Sequence, residues 1–443
     1  MGYFVDHLVA ATGAPTARDV TDVLADAVNV KDYGAKGNGI DNDGAAIQTA
    51  LDVAYGPASA PNSNVGLNRL VVLPNGEYRI DQQLFLNHVA GARLRGMGQK
   101  QTRLRYVGPN SGLPGGGEAG PLTSLLTLRT VTYSEVAGIT FDCTGSNAAV
   151  GVQLMNAPGI NNDGTGIAWR DCGFIGAHTG ANTGDGFLAT GNGTGATGSE
   201  QLFEGCLFDG NDRGVIVSGY NVLNYTFLRC AFKNGIQGIG VPSGAINLVL
   251  GCWFENNSQI DVHVKQNECP TIIGGYSTSP NVCLIGPGAI MSFYHNPSSV
   301  GGIWNGLVGL DQDRAIIAID GCLCGANSKL IGGPVDHIAY VRGTSFLNAA
   351  PIDCGFTTAV TISNASPAVI GWPSHGRVFK TGVAFKTTGA LPTGLLPGVI
   401  YYIRSILNTN SFTVSATPNG AAINTSSDGS GTHSVSSNVR ELI

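Results

Sequence analysis

The chain has 443 residues, too many for one compact domain, and only 12% of them are charged, about half the usual share. Glycine occurs 65 times, about twice the usual frequency, and 43% of the residues are hydrophobic, so tight turns between short strands are expected rather than a helical bundle or disorder. A net charge of −6 disfavours nucleic acid or an anionic membrane as the main partner.

Met1 to Asp6 lacks a basic region followed by an apolar run, so a signal peptide is not expected. No apolar stretch reaches the roughly 18 residues of a membrane helix. A weak helical pattern runs over Ala17–Ala27, with Thr16 as its N-cap. From Val28 to Gly39 the pattern is a strand and then a glycine-rich turn. Asp43 is expected to cap a helix, Gly44 to Ala54, with Ile47, Ala50, Leu51 and Ala54 on one face. Leu70–Ile80 reads as two strands joined at Pro74, Asn75 and Gly76.

A repeat follows. Segments starting at Gly151, Gly186, Gly214, Gly238, Asp261 and Asn281 align, with offsets of 35, 28, 24, 23 and 20 residues. Most are followed by a cysteine and a phenylalanine two residues apart: Cys172 and Phe174, Cys206 and Phe208, Cys230 and Phe232, Cys252 and Phe254. Trp169, Phe203, Phe227 and Val249 stand three residues before the cysteines. Such a period is one coil of a solenoid. Alternation along each strand points Val152, Phe187, Val215, Ile239 and Val262 inward, and Gln153, Leu188, Ile216, Gly240 and His263 outward. Leu188 and Ile216 are apolar, so that outer face is expected to be covered, by a neighbouring subunit or by the chain itself. The cysteines read as small, reduced core residues. Ala315–Cys322 and His337–Arg342 look like later coils. Beyond about residue 356, Thr358–Ser363, Val383–Lys386, Tyr401–Arg404 and Ser411–Ser415 read as strands of a small separate β domain.

The blocks Val28–Gly39, Asp41–Gln48 and Val72–Ile80 resemble, in order and spacing, the opening of the pectate-lyase-like superfamily, which includes bacteriophage tailspikes and some glycosidases. The resemblance implies an all-β chain: a right-handed parallel β-helix over 28–355, behind a short N-terminal anchor (1–27) and before a C-terminal β domain (356–443). Val360–Pro367, Thr387–Leu395 and Asn410–Pro418 look like a β module recurrent in phage tail proteins. Together these imply a homotrimeric tailspike in the virion tail, made in the host cytoplasm. It would contact other tail proteins through its N-terminus and bind, and often cleave, bacterial surface polysaccharide. A non-catalytic receptor-binding fibre is the alternative. No cofactor or metal is expected.

Glycoside hydrolysis uses two carboxyls, about 5–5.5 Å apart for retention and about 6.5–9.5 Å for inversion, spacings that a coil separation of about 4.8 Å supplies. One grouping is Asp185, Asp212 and Arg213, with Asp185 and Arg213 in one column and Asp212 diagonal to them. Two acids beside an arginine can have their pKa values pushed apart. Gly210–Gly219 and Asn182–Asp185 resemble segments of polygalacturonase-type glycosidases, but Asn211 replaces one of a pair of aspartates. The second grouping is the column three after each cysteine, Ile175, Asp209, Lys233 and Glu255, with Glu204 near it in sequence. Its bland reading is a surface ladder of ion pairs. Arg213, Lys233 and Tyr220 are the expected substrate-binding residues, and Tyr225, Trp253 and Tyr276 are further candidates for stacking on sugars.

Overall fold

The computed structural model describes residues 26–57, 69–108, 124–145, 150–155, 165–178, 184–190, 198–219, 222–264, 270–279, 358–397 and 399–435, together with the backbone of short strands outside these ranges. It is a right-handed parallel β-helix followed by a small β-barrel. The chain divides into two compact units, Met1–Leu248 and Val249–Ile443.

In the first unit each coil contributes one short strand to each of three parallel sheets. The first sheet stacks Leu84–Asn87, Ser124–Arg129, Val150–Met155, Asp185–Thr190, Arg213–Ser218 and Gln237–Val241. The second runs from Ala27–Asn29 through Arg93–Arg95, Glu135–Ala137 and Ala168–Arg170 to Tyr225–Leu228, and the third from Asn38–Asn42 through Gly173–Ile175 and Leu207–Asp209 to Ala231–Lys233. Strand pairing reproduces the repeat: Val152 pairs with Phe187, Phe187 with Val215, and Val215 with Ile239.

Burial of like side chains in columns holds the coils together. Phe174, Phe208 and Phe232 stack with ring centroids 4.7 Å apart at each step. Trp169, Phe203 and Phe227 form a second stack, at 6.0 and 5.1 Å. All five described cysteines are buried, and none of them is in a disulfide. Three of them sit just after the tight turn between the second and third sheets. There each thiol donates to a carbonyl one coil back: Cys172 to Val136 O, Cys206 to Trp169 O and Cys230 to Phe203 O, each at 3.4 Å. A short side chain with a weak donor fits this corner, which explains the column without redox chemistry.

The helix Gly44–Tyr55 buries Ile47, Ala50, Leu51, Ala54 and Tyr55. Its start differs from the expectation. The Asp43 carboxylate does not cap the helix; it turns back to accept from Lys36 N (2.6 Å) and Gly37 N (3.1 Å), while Asn42 Oδ1 accepts from Gly44 N (3.1 Å). Near the N-terminus, Arg18–Asp19 pairs antiparallel with Leu8–Val9, and Ala27 opens a strand, so at those points strand pairing overrides the helical pattern. Residues 20–25 lie outside the described residues.

The outward column of the first sheet is sealed over its middle coils. Gln153, Leu188 and Ile216 are only 3%, 5% and 4% exposed within the single chain. The cover is therefore supplied by the chain itself, and burial of Leu188 and Ile216 does not require a neighbouring subunit.

In the second unit, strands from Trp253–Glu255 to Ile352–Asp353 continue in parallel pairs. One register differs from the sequence alignment by a residue: Val262 pairs with Cys283, not Val282. The repeat had lost its glycine there, and with it the marker of phase. Six antiparallel strands, Thr358–Ile362, Ile370–Gly371, Gly382–Thr387, Ile400–Asn408, Ser411–Ser415 and His433–Ser436, then close a barrel around Ile370, Phe385, Ile403, Phe412 and Val414. The two-residue strand and the last one lack a sequence run long enough to be read as strands.

Candidate functional site

The corner where the third sheet turns into the first gathers most of the expected chemistry. The strand Leu207–Asp209 ends at Gly210, whose φ of +66° reverses the chain. Asn211, buried, then ties two coils together: Oδ1 accepts from Ala177 N (2.9 Å) and Nδ2 donates to Phe174 O (2.8 Å). Backbone bonds from Asp212 N to Ala177 O and from Arg213 N to Gly184 O, both 2.8 Å, complete the join.

On this frame Asp185 and Arg213 are paired in register on neighbouring strands. Arg213 Nε donates to Asp185 Oδ1 at 2.6 Å and Nη2 to Oδ2 at 2.8 Å, a bidentate pair. Asp185 is fully buried, while the Arg213 side chain is 28% exposed. Burial raises the Asp185 carboxyl to about 6, against the pull of Arg213 and with a further push from the Asp212 charge. Asp212 is buried as well. Its Oδ2 accepts from Gly184 N (2.9 Å), and its Oδ1 contacts Nδ1 of His178, whose side chain is 63% exposed. A carboxylate can only accept, so Nδ1 donates to it, which leaves Nε2 as the ring nitrogen not engaged by Asp212. Both carboxylates therefore communicate with the surface through another side chain, Asp185 through Arg213 and Asp212 through His178.

The structure thus brings Asp185, Asp212 and Arg213 together, and adds His178. Searching the histidines for metal spacing does not find it. Its signal is columnar: His178 lies four residues after Phe174, as Asp212 lies four after Phe208. Asp209 and Lys233 are in register with Ile175, as the repeat predicts, and Asp209 Oδ1 accepts from Asn234 Nδ2 at 2.8 Å. Glu255 ends the strand Trp253–Glu255 in the second unit. Glu204 belongs to a different sheet from Asp209. It lies on the outer face of the second sheet, paired with Arg170 and, at 2.5 Å, with Arg229, and Arg170 also approaches Glu135 at 3.6 Å. Of the aromatic candidates, Tyr225 is a core residue whose hydroxyl donates to Gly198 O. Trp253 is half exposed and pairs with Tyr276, ring centroids 5.9 Å apart, on the outer face of the third sheet. Tyr220 lies outside the described residues.

Comparison with known proteins places these coils in a family. The model of a family described as rhamnogalacturonase A/epimerase, pectate lyase-like, matches residues 27–260, more than half of the chain. A mannuronan C5-epimerase of Azotobacter vinelandii is 36% identical over 86 residues, which span 18% of this chain and 14% of that protein. Among solved structures, the ORF18 protein of Geobacillus virus E2 is similar at a TM-score of 0.48 and 13% identity, covering 93% of this chain and 76% of its own. The Dettilon tailspike protein is similar at 0.47 and 12%, covering 94% of each chain. Tailspike protein 4 of bacteriophage CBA120 is similar at 0.42 and 12%, over 92% of this chain and 67% of its own.

Proposed function

Because the chain belongs to the pectate-lyase-like family of rhamnogalacturonase A and epimerase, we propose that it is a phage tailspike that binds a host surface polysaccharide, capsule or lipopolysaccharide, and hydrolyses it. The observation that carries the reading is the corner of Asp185, Arg213, Asp212 and His178, which lies within the family match and couples two buried acids to two groups that reach solvent. The barrel that follows the coils, with the tail-module pattern in its strands, supports the phage setting. A homotrimer in the virion tail, attached to another tail protein through residues 1–27, belongs to the same proposal.

In this reading Arg213 is a movable cover. A sugar oxyanion or hydroxyl that draws the guanidinium outward leaves Asp185 as a carboxylic acid, since burial without its cation favours the neutral form. Asp185 then donates to the leaving glycosidic oxygen, while His178, held by Asp212, takes the proton of the attacking water. Asp209 and Lys233, beside the corner, extend the sugar-binding surface. Purified host capsule or lipopolysaccharide incubated with the protein should release new reducing ends. Absence of release with the true host glycan removes the hydrolytic part.

A second reading is favoured by one observation: all four oxygens of Asp185 and Asp212 already have donors. A corner locked in this way serves a non-catalytic receptor-binding protein. Glycan binding with an unchanged chain-length distribution would support it.

A further inference from the structure

A cleft of about 590 Å³ opens on the outer face of the second sheet, lined by Tyr133, Arg93, Arg95, Glu135, Leu70 and Ala168 among others. None of these residues belongs to the corner above. Strand pairing sets Arg93 beside Leu70 on one side and Glu135 on the other, and Glu135 beside Ala168. Arg93 and Arg95 alternate with the inward-facing Leu94, so both guanidiniums project to the same face. Their strand is pinned from behind: the Tyr55 hydroxyl donates to Arg93 O at 2.6 Å and accepts from Arg93 N at 2.9 Å. Among the described residues neither arginine has a carboxylate within 4.0 Å, whereas Glu135 shares Arg170 with Glu204. The cleft is therefore cationic in a chain whose net charge is −6.

Tyr133 is the residue that local structure does not explain. It occupies a turn column with Gly91, Gly166, Glu200 and Asn224, all at positive φ, and its own φ is +47°. A bulky residue there carries backbone strain that glycine would not, and Tyr133 is 73% exposed, so core packing does not compensate. On one side the ring rests against Gly166, where an added Cβ would meet Tyr133 Cδ1 at 3.1 Å, and above Gly91 the space is open. An aromatic shelf with glycine on both neighbouring coils, beside two guanidiniums that lack carboxylate partners, suits a sugar ring that carries a carboxylate. The ring's C–H face stacks on the tyrosine and a guanidinium grips the carboxylate in a forked pair.

We propose that this cleft is a second saccharide subsite, selective for acidic sugars such as uronic or sialic acids; the inference rests on the reading of the chain as a polysaccharide-binding protein and names the class it recognises. The test is calorimetric titration of the full chain with hexagalacturonate and an oligosialic acid, with maltohexaose as the neutral control. The variants are Tyr133→Gly and the pair Arg93→Ala with Arg95→Ala. At least one acidic oligomer should bind about tenfold or more tightly than maltohexaose, weakening as salt rises, and each variant should lose about tenfold or more of that affinity. The glycine variant should unfold at the same temperature as the parent or higher, because it relieves strain; loss of binding is then not loss of fold. Acidic binding unchanged in both variants, or maltohexaose bound as well as the acidic oligomers, overturns the subsite while leaving polysaccharide binding intact. No binding of any oligomer, nor of the host glycan itself, overturns both.

Discussion

In the first unit the carboxyl of Asp185 is sealed against Arg213, and in the second unit that of Asp261 is sealed against Asn257 and Ser277. Asn257 Nδ2 donates to Asp261 Oδ1 at 2.8 Å, Ser277 Oγ donates to Oδ2, and Asn257, Asp261, Ser277 and Ser279 are all buried. Burial raises both aspartates to about 6. A perturbed carboxyl in a turn of this solenoid is therefore not by itself a catalytic signal. What separates the two corners is the company each acid keeps. Asp261 has neutral, buried partners and no route outward through them, whereas the first corner ends in Arg213 and His178 at the surface.

The largest expected effect breaks the comparison in function. Asp185→Asn or His178→Ala should lower cleavage of the host polysaccharide about a hundred- to ten-thousand-fold, the range for loss of a general acid or base. Asp261→Asn, with the same change of charge at a similar depth, should leave the rate within about twofold. Equal losses in both corners would mean that the effect is structural.

Stability separates them next. Arg213→Met leaves Asp185 buried without its cation and should cost about 3–5 kcal/mol at neutral pH. Ser277→Ala removes one neutral donor and should cost about 1–3 kcal/mol. Denaturant unfolding measures both. The Arg213→Met penalty should shrink as pH falls toward about 6, because without the guanidinium the carboxyl takes up its proton at a higher pH, and below about 6 it is neutral in both proteins.

The pH dependence follows from the direction of the two shifts. Each carboxyl rises from 3.8 to about 6 on folding, so between these values the folded chain holds more protons than the unfolded one. The contribution of each group is then present below about pH 4 and is lost as pH rises through about 6, by up to about 3 kcal/mol apiece. The urea midpoint should fall over that window, and Asp185→Asn and Asp261→Asn should each remove part of the slope. A midpoint that climbs from pH 4 to 7 would contradict both assignments.

The coil was legible because its forces are periodic. Inward Val, Phe and Cys recur wherever the core must be refilled, so the pairing of Asp185 with Arg213 could be read from the alignment alone. Depth was not legible. Nothing in the spelling of Gly210–Arg213 says that Asn211 would face inward to bind two backbone groups, or that Asp185 would be fully covered. His178 escaped because the contact crosses coils, and only alignment by column sets it beside Asp212. The Val262–Cys283 register was lost for the opposite reason: once glycine leaves the repeat, one residue of slip costs nothing in the pattern.

The smallest effect is the most discriminating. His178→Gln keeps a polar side chain at the surface and loses the imidazole. Asp212 is buried, but the glutamine amide can still donate to its carboxylate and the Gly184 N bond holds the other oxygen, so the unfolding midpoint should barely move. If His178 is the base that Asp212 orients, cleavage falls in a protein of unchanged stability. A substantial loss of stability would instead make the imidazole part of the structural clamp, and the first corner would then differ from the second only in charge.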